Sequence, residues 1–120
     1  MNNELTQLME DNLMLVWSER DDAKRLTAIE KIYTKDAALY HVGDQTAGIE
    51  NISKSAGAVI GNMPPVFVFA KLKPIIINNN LGRLIWGVGP KGQPPVATGM
   101  DIAHFENGKI KSLYVFLDSE

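Results

Sequence analysis

Asp101 stands inside the run Val96-Ala97-Thr98-Gly99-Met100-Asp101-Ile102-Ala103-His104-Phe105. Strand alternation puts Ala97, Gly99, Asp101, Ala103 and Phe105 on one face, and Val96, Thr98, Met100, Ile102 and His104 on the other. Aspartate is depleted in strands. Among small and apolar neighbours a carboxylate without a partner is costly to ionise, and its pKa rises. Gly99 and Ala103 leave room beside it. Such an acid suits a cavity wall, where it could give and take a proton. The alternative is a structural Asp bonded to backbone or to a nearby Arg or Lys.

His41 is the second group that could carry a proton near neutral pH. It follows Asp36-Ala37-Ala38-Leu39-Tyr40 at the end of a strand and precedes Gly43. Its ordinary pKa of about 6.5 suits a general base, although a surface or hydrogen-bonded His has the same local pattern. His104 falls on the strand face opposite Asp101 and reads as surface or interface. It shares that face with Glu106, but two ligands without a third make a weak metal signal. No metal site and no cofactor site is expected. No phosphate-binding Gly loop, nucleophile elbow or His-Glu-x-x-His helix occurs.

The remaining chemistry is narrow. The 120 residues include no Cys, which removes thiolate nucleophiles, disulfides and Cys-based metal sites. Net charge is −2, without the concentrated basic face a nucleic acid or anionic membrane would need. Residues 1–60 hold 10 of the 14 acids, on helix faces and turns, so an acid within a later strand stands out. The N-terminus lacks the basic start and apolar run of a signal peptide, and no apolar stretch approaches a membrane span. The expectation is one cytoplasmic domain over residues 1–120, with no membrane and no nucleic-acid partner.

The elements that must position Asp101 and His41 follow from periodicity. Leu5, Leu8, Met9, Leu13, Val16 and Trp17 recur at helical spacing. Asp21 or Asp22 caps a second helix carrying Leu26, Ile29, Ile32 and Tyr33. A short strand over 37–42 turns at Gly43-Asp44, and Gly48 leads into a third helix that Pro64-Pro65 prevents from continuing. Strands are predicted over 66–77, with Pro74 at a bulge or edge, then 81–88, 96–105 and 109–118. Helices followed by an antiparallel meander make an α+β fold, with helices covering one face of a curved sheet.

The last hairpin decides what faces Asp101. A two-residue Asn107-Gly108 turn pairs Glu106 with Lys109 and sets Asp101 opposite Tyr114. A three-residue Glu106-Asn107-Gly108 loop pairs Phe105 with Lys109, sets Asp101 opposite Leu113, and puts Val115 and Leu117 on its face. The three-residue loop is favoured, because Asn107 suits the second turn position and Gly108 the bulge. Ile110, Tyr114 and Phe116 then join Met100 and Ile102 in an outer apolar patch, which suggests a homodimer through that sheet face. The alternative is a helix covering it.

Several features resemble the SnoaL-like branch of the nuclear transport factor 2-like superfamily. They are Trp17 closing helix one, Asp21-Asp22 opening helix two, Tyr33-Thr34-Lys35-Asp36-Ala37 entering a strand, Gly48-Ile49-Glu50-Asn51-Ile52 opening helix three, and the final run from Gly99 to Ile110. The resemblance spans nearly the whole chain. It implies a cone: a curved mixed β-sheet wrapped around a pocket and closed by three helices from the N-terminal half. It also places Asp101 like the oxyanion-hole Asp of ketosteroid isomerases, or the acid/base Asp of SnoaL-like polyketide cyclases. His41 falls where the isomerase has its general-base Asp. Where that enzyme has an oxyanion Tyr, this chain reads Leu13-Met14.

Catalytic roles are therefore expected for Asp101 and His41. The expected pocket lining comes from Leu13 and Trp17 of helix one and from Tyr40 beside His41. Phe67, Phe69 and Trp86 are expected from the middle strands, and Gly99, Ala103, Leu113 and Val115 from the last two. The expected ligand is a small apolar organic molecule. The expected chemistry is cofactor-free isomerisation, cyclisation or dehydration by proton transfer. The alternative is a binding module without chemistry, or a dimeric module that binds a partner protein.

Overall fold

The computed structural model describes residues 2–119. Three helices occupy the first half: α1 (Asn2–Asp11), α2 (Asp22–Ile32) and α3 (Ile49–Gly61). Seven strands follow the order β1 (Tyr33–His41), β2 (Asp44–Ala47), β3 (Phe67–Lys71), β4 (Ile76–Asn78), β5 (Leu81–Pro90), β6 (Ala97–Glu106) and β7 (Lys109–Leu117). They form one mixed sheet in the order β2-β1-β7-β6-β5-β3, with β4 also paired to β5. The β1–β7 pair is parallel and the others are antiparallel. The sheet is curved and open, and the helices pack into its concave face: the α+β cone.

Local chemistry explains the helix ends. Asp21 caps α2, its side chain accepting from the Lys24 N–H at 2.9 Å. Gly48, at φ 93°, supplies a conformation before α3 that other residues rarely adopt. α1 passes into a wide π-type turn over Asn12–Val16, where the Trp17 N–H reaches back five residues to the Asn12 carbonyl at 3.1 Å. The extra residue keeps Met9, Leu13, Val16 and Trp17 in the core and also turns Asn12 inward, which the apolar stripe alone did not reveal.

The strands differ from expectation in four places. Tyr33, expected on helix two, is the first residue of β1 and fully buried. Polar Asp44–Ala47 forms β2, a hairpin partner of β1 that hydrophobic alternation could not signal. The single strand predicted over 66–77 is two, β3 and β4, both paired to β5 and broken at the segment containing Pro74.

The fourth difference is the last hairpin. Asn107 and Gly108, at φ 53° and 78°, make a two-residue turn, and Glu106 pairs with Lys109. A bulge follows, because Phe105 pairs with Ile110 whereas His104 pairs with Ser112. The extra residue restores the expected face by another route: Leu113, Val115 and Leu117 lie on the side of Asp101, whose direct partner is Val115 rather than Leu113. The two-residue turn itself sets Ile110 opposite inward-facing Phe105, so Ile110 is fully buried instead of lying in the outer patch.

Candidate functional site

Inward-facing residues of five strands meet one face of the helical layer at a cavity of about 130 Å³. Its walls are Leu13 and Trp17 after α1, His41 at the end of β1, and Phe69 and Trp86 from β3 and β5. Asp101 and Val115 come from β6 and β7, while Val59 of α3 and Leu117 complete the lining. Apart from His41, Asp101 and the two indoles, every wall group is aliphatic or Phe.

Asp101 is buried, at 4% exposure. Its Oδ1 accepts the indole N–H of Trp86 at 2.9 Å. Its Oδ2 bonds no protein donor among the described residues and is not sealed away, so it faces the cavity. Burial pushes the carboxyl pKa up from 3.8 to about 7, and the Trp86 bond opposes that rise. The group therefore exists in both protonation states near neutral pH, as an acid/base group requires.

Trp86 reaches Asp101 because Gly99 lies under it. The two residues pair across β5 and β6. A Cβ on Gly99 would sit 2.3 Å from the indole ring. With no side chain there, the indole lies across β6 and presents its N–H to the next inward position. Phe69 packs edge-on with the ring, at 5.4 Å and 78°.

His41 is half-buried on the same wall. Trp17 meets it edge-on, with ring centroids 6.1 Å apart at 67°. Trp17 is itself set by a buried network. The Tyr33 hydroxyl donates to Asn12 Oδ1 at 2.6 Å, and the Trp17 indole N–H donates to that hydroxyl at 3.5 Å. Burial raises the Tyr33 pKa well above its ordinary value, and the nearby Asp101 charge adds to the rise. The phenol stays neutral and serves as a fixed donor.

Seven of the residues expected at the site, Asp101, His41, Leu13, Trp17, Phe69, Trp86 and Val115, surround the cavity. Five do not. Tyr40 points to the outer sheet face and stacks on Tyr114 at 4.5 Å and 9°, because alternation gives His41 the inner position. Gly99 lies beneath Trp86, and Ala103 and Leu113 are fully buried in the core. Phe67 lines a neighbouring groove, one strand position beyond the cavity. Val59 and Leu117 were not in the expected lining, although the favoured hairpin had put Leu117 on the face of Asp101. Among the described residues, no three His, Cys, Asp or Glu side chains cluster as a metal-ligand set, and no helix is long and apolar enough to cross a membrane.

No family model matches the chain, and no curated protein matches it. Solved structures do. A candidate isomerase of the SnoaL-like family from Agrobacterium tumefaciens is 20% identical and superposes at a TM-score of 0.86, covering 97% of this chain and 98% of that one. The fold is that of the SnoaL-like, nuclear transport factor 2-like domains. A candidate SnoaL-like polyketide cyclase from Jannaschia Sp. CCS1 is 9% identical at a TM-score of 0.76, covering 98% of this chain and 87% of that one. A de novo designed protein with a curved β-sheet shares the SnoaL-like outline at 0.77 and 17% identity, covering 98% and 88%. A fold common to candidate enzymes and a designed scaffold leaves the function to the site itself.

Proposed function

We propose that the chain binds a small, largely apolar carbonyl compound in this cavity and moves a proton on it. The reaction class is isomerisation, aldol cyclisation or dehydration next to the carbonyl, without a cofactor. One observation carries the reading: a buried carboxylate, half-neutral near pH 7 and held by a single indole N–H, turns its other oxygen into an apolar cavity that also contains His41. In its neutral form Asp101 donates to the carbonyl oxygen and stabilises the enolic intermediate. In its charged form it removes the proton beside that carbonyl. His41, on the same cavity wall, takes the complementary role. The small volume selects one ring or a short branched chain.

The test is a screen of small ketones, enones and β-hydroxy ketones for exchange of the α-proton with deuterated water. Proton transfer by one positioned group is worth roughly 10²–10⁴ in rate. Asp101→Asn should lose about that much while binding is retained. Exchange that is unchanged in Asp101→Asn and in His41→Ala would reject the catalytic reading and leave a binding module.

The outer sheet face supports a second proposal, a homodimer. Tyr114 and Phe116 are 39% and 44% exposed beside half-buried Met100 and Ile102. Sedimentation equilibrium should return twice the mass of one chain, and a Phe116→Glu variant should return a single mass.

A further inference from the structure

The cavity does not stand alone. Trp17 and Phe69, which line it, also line a groove of about 310 Å³. Ile60 and Met63, at and beyond the end of α3, and Phe67 of β3 continue its walls. The groove is mainly apolar; Ser18 and Arg20 bring the polar side chains, and Arg20 is the one charged residue among the described residues that line it. The Arg20 side chain is anchored by two long hydrogen bonds to backbone carbonyls, Ile60 O at 3.4 Å and Pro64 O at 3.3 Å. A guanidinium has five N–H donors, so these two leave a fork able to bind an anion.

Arg20 forms no ion pair among the described residues. Its sequence neighbours, Glu19 and Asp21, are acidic but engaged elsewhere. Glu19 Oε2 accepts from the Asp21 N–H at 3.0 Å, and Asp21 Oδ1 accepts from the Lys24 N–H at 2.9 Å. Both carboxylates thus serve the start of α2.

A one-ring cavity, an apolar corridor and an unpaired guanidinium in that corridor define a molecule with three parts. We propose that the ligand is a cyclic or aryl carbonyl compound with a short alkyl tail ending in a carboxylate or similar anion. The ring sits against Asp101 and His41, the tail crosses the shared edge of Trp17 and Phe69, and the anion meets Arg20. This rests on the cavity being the ligand site, as proposed above. It adds the charge and length of the part of the ligand outside the cavity. An anionic end 'reads' direction as well: it fixes which end of the molecule enters the cone.

The experiment uses the full chain and a series of ω-phenylalkanoates, from phenylacetate to 6-phenylhexanoate, each compared with its methyl ester. Binding is read by calorimetry and by chemical-shift changes at the Trp86 and Trp17 indole N–H groups. An intermediate tail length should bind most tightly, with the acid about tenfold tighter than its ester. Arg20→Gln should remove that preference, and Arg20→Lys should keep part of it. Near-UV circular dichroism confirms that both variants stay folded. Acids and esters binding equally, or a preference that survives Arg20→Gln, would overturn the proposal. If the esters still shift the Trp86 signal in that case, the cavity reading stands and the anionic tail alone fails. If no probe shifts Trp86, both readings fall.

Discussion

His41 and Asp101 occupy one cross-strand row, with Val115 between them. His41 pairs with Val115 across the parallel β1–β7 ladder, and Asp101 pairs with the same Val115 across the antiparallel β6–β7 ladder. Two strand spacings put the two backbone positions roughly 10 Å apart. The side chains therefore flank a space about one small molecule wide, and the valine forms its floor. That separation suits two groups serving opposite sides of one substrate.

Burial of Asp101 should appear as a pH dependence of stability. The folded pKa is about 7 and the ordinary value is 3.8, so the native state holds a proton that the unfolded chain has released between those values. Stability is then full below about pH 4, falls as pH rises through about 7, and levels off above it. The three-unit gap corresponds to roughly 4 kcal/mol across the window. Urea titrations of wild type at pH 4, 6 and 8 should show this fall, and Asp101→Asn should flatten it. A wild-type chain equally stable at pH 4 and pH 8 would count against a buried neutral carboxyl.

Trp86→Phe removes the one donor among the described residues that favours the charged carboxylate. The apparent pKa of Asp101 should move further up, and any activity that needs the carboxylate should shift its pH profile in the alkaline direction. Carbon-13 titration of the Asp101 carboxyl gives the direct reading. A pKa that falls in this variant would contradict the assigned bond.

Gly99→Ala places a methyl group where the indole lies. Either the ring moves or β6 does, at a cost of about 1–3 kcal/mol for overpacking. Trp fluorescence should change and Asp101 should titrate differently, while far-ultraviolet dichroism stays the same. An alanine variant with native fluorescence and native stability would show that the contact is not tight.

Tyr33→Phe deletes the hydroxyl that joins Asn12 to Trp17. Leaving buried Asn12 without that donor should cost about 1–3 kcal/mol. The Trp17 ring loses its tether and should broaden in NMR spectra, together with His41, which it contacts. Sharp signals for both rings would mean that packing alone holds them.

Much of this was legible in the sequence because strand alternation is strict. Asp101 stood out as an acid on a small-residue face, and Trp86 and Phe69 fell on inward positions by the same rule. Two kinds of feature escaped. The hairpin register depended on a two-residue turn, which set Ile110 in the core, and on a bulge at Lys111, which leaves no mark in composition and returns Leu113 and Val115 to the inner face. The Asn12–Tyr33–Trp17 network depended on a π-type turn, because regular helical spacing gives no reason to bury Asn12. Tyr40 and Phe67 were misplaced for a simpler reason: proximity in sequence to His41 and Phe69 is not proximity in space on a pleated, curved sheet.

The strand order has a consequence for how the molecule is made. β7 is the last strand in the sequence, yet it lies inside the sheet, between β1 and β6. Until it emerges during synthesis, the β1–β2 hairpin and the β3–β5–β6 group are separate pieces, each with an unpaired edge. Joining them requires β7 to close a contact with β1 across most of the chain, a slow step of high sequence separation. His41 belongs to one piece and Asp101 to the other. A nascent chain stalled before β7 therefore carries both halves of the site without the strand that pairs with each of them and sets them in one row.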